Sequence, residues 1–110
     1  MFGRMQFSLL VVYELTGDFP GEERFGLTNQ MRRAAVSVSS NIAEGSSRVS
    51  RTDFSRLVEI ATGSVFEVVS QTTIALRRKM ITQKNYDKVY AAAEKQSKML
   101  SGLRRSLSDK

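Results

Sequence analysis

Apolar side chains recur along most of this chain at steps of three or four residues, which is the spacing of an α-helical face. The pattern predicts four helices: about residues 5–15, a second that starts between 22 and 28 and ends near 44, about 51–79, and a fourth from a cap at Thr82 to about 107. No segment alternates apolar and polar positions over a useful length, so strands are not predicted. We therefore expect an all-α protein.

Residues that stop or start helices separate these segments. Pro20 and its neighbouring glycines follow the first helix, and Gly45 with two serines follows the second, where we expect a C-terminal cap and turn. Ser50 stands three residues before Asp53, a variant of the capping box that opens the third helix. Helices joined by such short turns pack antiparallel, so residues 1–110 are predicted to form a single up-down-up-down four-helix bundle.

The composition excludes several functional classes. The chain contains no Cys and no His, which removes disulfides, Cys or Ser–His nucleophiles and the usual zinc ligands. It has no P-loop or dinucleotide-binding glycine pattern, so we expect neither a cofactor nor a metal. The longest apolar run near the start, residues 9–13, is too short for a membrane span or a signal peptide. We expect a cytoplasmic protein without membrane association.

Positive charge is the strongest functional clue. Lys and Arg number 17 against 11 Asp and Glu, which gives a net charge of +6 and a pI near 10.1. The predicted connectivity gathers cations at both ends of the bundle. One end carries Arg48, Arg51, Arg104 and Arg105, with Arg56 one turn inside, and the opposite end carries Arg77, Arg78 and Lys79. These residues are candidates for contacts with nucleic-acid phosphates.

The alternative is that these cations complement the dipoles of helix C-termini and keep the protein in solution. No aromatic side chains interleave with the cations at either end, so base-specific recognition is not indicated.

A polar face follows the apolar stripe of helix 2. Its members on helix 2 are Gln30, Arg33, Ser37, Asn41 and Glu44. We expect Glu67 to face them from helix 3. A metal or active site between Glu44 and Glu67 is one interpretation, but bundle metal sites of this kind also use Glu-x-x-His pairs, and this chain has no His. We favour a structural polar network, buried or at a subunit interface, in which Arg33 bonds Glu67.

Two sequence blocks are more specific than any of these features. The first, F-P-x-E-E-R-x-G-L-T-x-Q-x-R-R-A, covers residues 19–34, and the second, S-N-I-A-E-G, covers residues 40–45. They resemble the four-helix-bundle family first noted in intervening sequences of bacterial large-subunit ribosomal RNA genes. The same pattern continues through Arg48, Asp53, Phe54, Ala61, Gly63, Ser64 and Glu67. Ser39 departs from it, since members usually have Pro at that position.

The resemblance implies a bundle that assembles into a homo-oligomeric ring, with a pentamer expected, and it implies no enzymatic activity. Relatives include the accessory variability protein of diversity-generating retroelements, which works beside a reverse transcriptase and binds nucleic acid through a basic surface. Members also carry an aromatic-containing lead-in before the position of Met5, so we expect a shorter first helix here, and that difference bears on the exact oligomer.

The sequence therefore favours a non-catalytic homo-oligomer that binds structured RNA or DNA by its phosphates, as an adaptor to a nucleic-acid enzyme such as a reverse transcriptase. The alternative is a protein–protein interaction scaffold without direct nucleic-acid binding. Steep salt dependence of nucleic-acid binding would distinguish the two.

Overall fold

The computed structural model describes residues 11–17, 19, 21, 26–47 and 50–108. Helix α1 covers residues 11–16 of these, and it is followed by α2 (Leu27–Ser46), α3 (Arg51–Arg77) and α4 (Gln83–Ser108). No strand occurs in the described parts of the chain. The predicted order and type of the helices are confirmed. Residues 5–10, also predicted to be helical, lie outside the described residues.

Side-chain hydroxyls start the two longest helices. Ser50 Oγ accepts a hydrogen bond of 3.3 Å from the backbone N–H of Asp53, whose carboxylate also lies in the first turn of α3. Thr82 Oγ1 accepts one of 3.1 Å from the backbone N–H of Asn85, at the start of α4. Each cap satisfies an amide group that a helix N-terminus leaves unpaired, and both are the caps that the sequence predicts.

Helix α2 continues through Gly45, where the sequence led us to expect a cap and turn. Gly45 is buried, and a Cβ built on it would lie 2.6 Å from Cδ1 of Phe54. The helix instead ends at Ser46, and the hydroxyl of Ser47 donates to the carbonyl of Glu44 at 2.7 Å. The predicted stretch thus contains the cap, at Ser47, but Gly45 itself does not end α2 and instead permits a close approach of α3.

Helix α3 ends two residues earlier than predicted, in a Schellman motif. The backbone N–H of Met80 donates to the carbonyl of Ala75 at 2.9 Å, and that of Lys79 donates to the carbonyl of Leu76 at 3.0 Å. Lys79 has a φ of 60°, the left-handed conformation that the motif requires and that glycine usually provides. The side chain of Met80 then packs on the core, which directs the chain into α4.

Consecutive helices lie antiparallel, since the end of each contacts the start of the next. Gly45 meets Phe54 at the turn between α2 and α3, and Thr73 Oγ1 lies 3.2 Å from the Tyr86 hydroxyl near the turn between α3 and α4. Between α1 and α2, Arg32 Nε donates to Thr16 Oγ1 at 2.8 Å. These contacts give the up-down-up-down order that the sequence predicts.

The core consists of two apolar clusters arranged along the bundle. The first contains Val11, Val12, Leu27, Met31, Ala34, Ala35, Val68, Ala75 and Val89. The second contains Val38, Ile42, Val58, Ala61, Val65, Ala93 and Leu100. All four helices contribute to the first cluster, and burial of this apolar surface is the main term that stabilises the fold. The all-α four-helix bundle is confirmed.

A polar side chain lies beside the second cluster. Gln96 is 2% exposed, one turn from both Ala93 and Leu100 on α4. Neither its amide nitrogen nor its oxygen has a hydrogen-bond partner among the described residues. A buried amide without partners lowers the free energy of unfolding, because it loses its bonds to water and gains none in return.

Candidate nucleic-acid interface

A small polar cluster lies between α2 and α3, half-buried near the middle of both helices. Ser64 Oγ donates to Ser37 Oγ at 2.8 Å, and Asn41 Nδ2 bonds the same hydroxyl at 3.0 Å. Asn41 Nδ2 also donates to the Ser37 carbonyl at 2.7 Å. Two predicted members of the polar network, Ser37 and Asn41, thus bond each other, and Ser64 links them to α3.

The remaining members of the predicted network lie outside this cluster. Gln30, Arg33, Glu44 and Glu67 are all exposed. No bond forms between Arg33 and Glu67 within the chain, contrary to the prediction. Both side chains extend into solvent, where an ion pair gains little over hydration.

At the end of the bundle where α3 begins and α4 ends, Arg51 binds the last turn of α4. Its guanidinium donates to the carbonyls of Ser106 at 3.0 Å and Leu107 at 3.1 Å. These carbonyls belong to the four that a helix C-terminus leaves without an intrahelical partner. Arg51, a predicted phosphate contact, therefore has a structural role.

The other candidates at this end have different surroundings. Arg104 forms an ion pair with Glu59 of α3, and both side chains are at least half exposed. Arg56 and Arg105 are exposed, and no described carboxylate pairs with either. Arg48 lies outside the described residues. The fold thus brings the described candidates of this group to one end of the bundle. The charge of Arg104, however, is paired with that of Glu59.

The opposite end carries the second predicted group. Arg77, Arg78 and Lys79 are all exposed in the turn that ends α3. Arg77 lies in the last turn of the helix, where positive charge is favoured by the helix dipole. The two predicted groups are therefore at opposite ends of the bundle, separated by the length of α4.

The exposed side of α4 carries a line of cations of which Arg105 alone is among the predicted contacts. This line, which we call the α4 ridge, consists of Lys84, Lys88, Lys95, Lys98 and Arg105, all exposed. At 3.6 residues per turn, their spacing places all five within about 100° of arc on the helix. No described carboxylate pairs with any of them. The spacing is present in the sequence, but grouping the cations by helix ends concealed it.

Small residues occupy the gaps in the α4 ridge. Ala91 and Gly102 are exposed on the same side of the helix. Nothing lies within 4 Å of a Cβ built on Gly102. Asp87 lies within the same arc between Lys84 and Lys88, and its carboxylate accepts a hydrogen bond of 2.9 Å from Gln83 Nε2. No aromatic or large aliphatic side chain lies between the cations along this line.

An apolar groove runs between α3 and α4 beside the α4 ridge. Its lining includes Phe66, which is 63% exposed, and Tyr90, which is 49% exposed, together with Val69 and Glu94. Tyr90 also stacks obliquely on Tyr86, with ring centroids 6.0 Å apart. Tyr90, the exposed aromatic side chain among the described residues of α4, thus lies toward α3 and away from the line of cations.

Two further properties concern the described residues as a whole. They contain no group of three or more acidic side chains that could hold a metal ion. None of their helices combines the length and the apolar character of a membrane-crossing segment.

The fold is similar to that of a solved protein. The crystal structure of a protein with unknown function from the S23 ribosomal protein family of Bacteroides thetaiotaomicron superposes with a TM-score of 0.86. The match covers 94% of this chain and 96% of that chain at 21% sequence identity, so it shows a shared fold. No curated protein sequence matches this chain. The family model for the 23S rRNA-intervening sequence protein matches residues 4–102, and this chain belongs to that family.

Proposed function

We propose that this chain is a non-catalytic, homo-oligomeric bundle that binds structured RNA or DNA through phosphate contacts of its basic surface. The supporting observation is the placement of positive charge. Every described Lys, and every described Arg except Arg32, is exposed. Internal bonds engage Arg51 and Arg104, whereas the lysines of α4 pair with no described carboxylate. The lysines of α4 are therefore available to an anionic partner.

Nucleic acid is the partner that best suits this surface. A net charge of +6 on 110 residues favours association with a polyanion, and each phosphate that a cation neutralises releases condensed counterions. The family takes its description from an intervening sequence of 23S rRNA, which supports structured RNA as the first ligand to test. We extend the proposal to an adaptor role beside a nucleic-acid enzyme such as a reverse transcriptase, on the resemblance given above.

Exposed apolar side chains on α3 support the homo-oligomer, for which a pentamer is expected. Ile60 is 43% exposed and Ile74 is 44% exposed. They are fourteen residues apart, close to four helical turns, so they share one side of α3. A second copy of the chain would remove both from water. The same side chains also favour the alternative function, a protein–protein interaction scaffold without direct nucleic-acid binding.

The nucleic-acid proposal is tested by titrating a fluorescently labelled RNA hairpin with the protein and following anisotropy. We expect binding at low salt that weakens steeply towards physiological salt, because counterion release makes the affinity fall with salt concentration. Absence of binding at low salt would refute the proposal and leave the scaffold as the better account.

The oligomer is tested separately by light scattering on the eluting protein. Ile74→Lys places a charge on the exposed apolar side of α3 and should reduce the measured mass. Phe66→Lys makes a matched change at the α3–α4 groove and should leave the mass unchanged. A monomeric wild-type protein would contradict this part of the proposal.

A further inference from the structure

The α4 ridge is a surface of defined length and direction. It runs from Lys84 to Arg105, a separation of 21 residues. At a rise of 1.5 Å per residue this corresponds to about 31 Å along the helix axis. The cations fall into a pair at Lys84 and Lys88, a second pair at Lys95 and Lys98, and the single Arg105. Positive charge is therefore distributed along the whole ridge rather than concentrated at one point.

We infer that the α4 ridge is the track along which the protein binds the phosphates of a double-stranded nucleic acid. This inference rests on the proposed function and moves its principal contacts from the ends of the bundle to one side of α4. One turn of a duplex is about 34–36 Å long, close to the length of the ridge. A straight row of cations of this length, laid along a duplex, meets phosphates on both sides of a groove.

The chemistry of the ridge favours nucleic acid over an acidic protein or a lipid surface. A protein interface needs a core of apolar or aromatic side chains, and a surface helix binds a bilayer through an apolar face. The other positions on this line between Lys84 and Arg105 are Ala91, Gly102 and Asp87, which offer neither, and the cations outnumber the single carboxylate. The small residues Ala91 and Gly102 do allow a sugar–phosphate backbone to approach the helix closely.

The position of the aromatic side chains favours a duplex over a single strand. Proteins that bind single strands combine cations with exposed rings on which successive bases stack. Here Phe66 and Tyr90 lie in the groove towards α3, and the carboxylate of Glu94 shares that groove. No cation lies among the described lining residues of that groove, so the rings lack the positive charge that such a site combines with stacking. The ridge itself offers charge without rings, which suits paired bases and an exposed backbone.

The inference is tested by the salt dependence of binding to an RNA hairpin whose stem is longer than the ridge. The test variant is Lys95→Gln with Lys98→Gln, which removes the central pair while keeping helix propensity nearly constant. The matched control is Arg56→Gln with Arg77→Gln, which removes the same charge from the two ends of α3. Circular dichroism melting establishes that both variants fold.

The slope of log K against log[salt] is negative, and we expect its magnitude to fall by about two units for the ridge variant, one for each phosphate that is no longer neutralised. The control should change the slope by much less. Two results in which the wild type binds would show that the ridge is not the track: both variants lower the magnitude of the slope equally, or the control lowers it more. In either case the proposed function would stand. If the wild type does not bind at low salt, the proposed function and the inference both fail.

A competition experiment identifies the class of partner. Polyglutamate carries closely spaced negative charge without phosphates or a duplex. It should displace the hairpin poorly when both are compared at equal charge concentration. Displacement as effective as that by unlabelled hairpin would overturn the assignment to nucleic acid and indicate an acidic protein partner instead.

Discussion

The ring of Phe54 occupies the space that a side chain at Gly45 would need. A Cβ at position 45 would lie 2.6 Å from Cδ1 and 3.0 Å from Cε1 of that ring. Contacts closer than 3.0 Å force a neighbouring group to move, and here the group is an aromatic ring between two helices. The close approach of α2 and α3 at this turn therefore depends on the absence of a side chain at Gly45.

Gly45→Ala should lower the free energy of unfolding. Displacing the ring costs about 1–3 kcal/mol. Alanine returns about 1 kcal/mol in a helix interior, so the expected net loss is up to about 2 kcal/mol. Urea denaturation measures the difference. Gly102→Ala is the control, since open space surrounds Gly102, and it should raise the free energy by up to about 1 kcal/mol. Equal effects of the two substitutions would contradict the packing argument.

Lys79→Gly should stabilise the protein. Lys79 has a φ of 60°, and a left-handed conformation costs a non-glycine residue about 1–2 kcal/mol. Glycine removes this cost, but it also increases the conformational entropy of the unfolded chain, which offsets part of the gain. We therefore expect a net increase of about 0.5–1 kcal/mol in the free energy of unfolding. The measurement is thermal or chemical denaturation.

Its control is Lys98→Gly, which removes a lysine from the interior of α4 and should cost about 0.5–1 kcal/mol. Destabilisation by both substitutions would show that the turn after α3 does not strain Lys79.

Arg51→Ala should loosen the last turn of α4. The substitution removes two hydrogen bonds to the carbonyls of Ser106 and Leu107, together with a positive charge near the negative end of the helix dipole. We expect a loss of about 0.5–1 kcal/mol, since the site is exposed. Hydrogen exchange should show faster exchange of amides in the last turn of α4, while the middle of α3 is unaffected. Uniform acceleration across the bundle would contradict a local role for Arg51.

Gln96→Met should raise the free energy of unfolding by about 1 kcal/mol or more. The buried amide has no hydrogen-bond partner among the described residues, and methionine fills a similar volume without polar atoms. The comparison is Gln30→Met, an exposed position on α2 where the change should have little effect. Loss of stability at position 96 would indicate that the amide is satisfied, for example by an internal water.

The local features of the fold are readable from the sequence, whereas its long-range contacts are not. Ser50 and Thr82 act as caps because hydroxyls at those positions bond amides three residues away. The role of Gly45 could not be found in this way. It depends on Phe54, which lies on the next helix and meets the glycine only after the turn has formed.

In the candidate site, too, the sequence predicts local placement but not long-range contacts. The sequence placed cations at the helix ends, and the fold brings the described ones there, but it could not show that Arg51 bonds the end of α4 or that Arg33 and Glu67 remain apart. Bonds between long surface side chains depend on rotamers and solvation rather than on spacing. The α4 ridge differs, since helical periodicity alone predicts it.

The length of the α4 ridge is fixed by contacts at its two ends. The turn at Met80 determines where the ridge starts, and Arg51 holds the turn in which it ends, so its span of about 31 Å cannot adjust to the ligand. At 3.4 Å per base pair this is about nine base pairs of B-form DNA. Affinity measured over a series of duplexes should rise with stem length to about that size and change little beyond it. We therefore expect a duplex of about nine base pairs to be the shortest that engages every cation of the ridge.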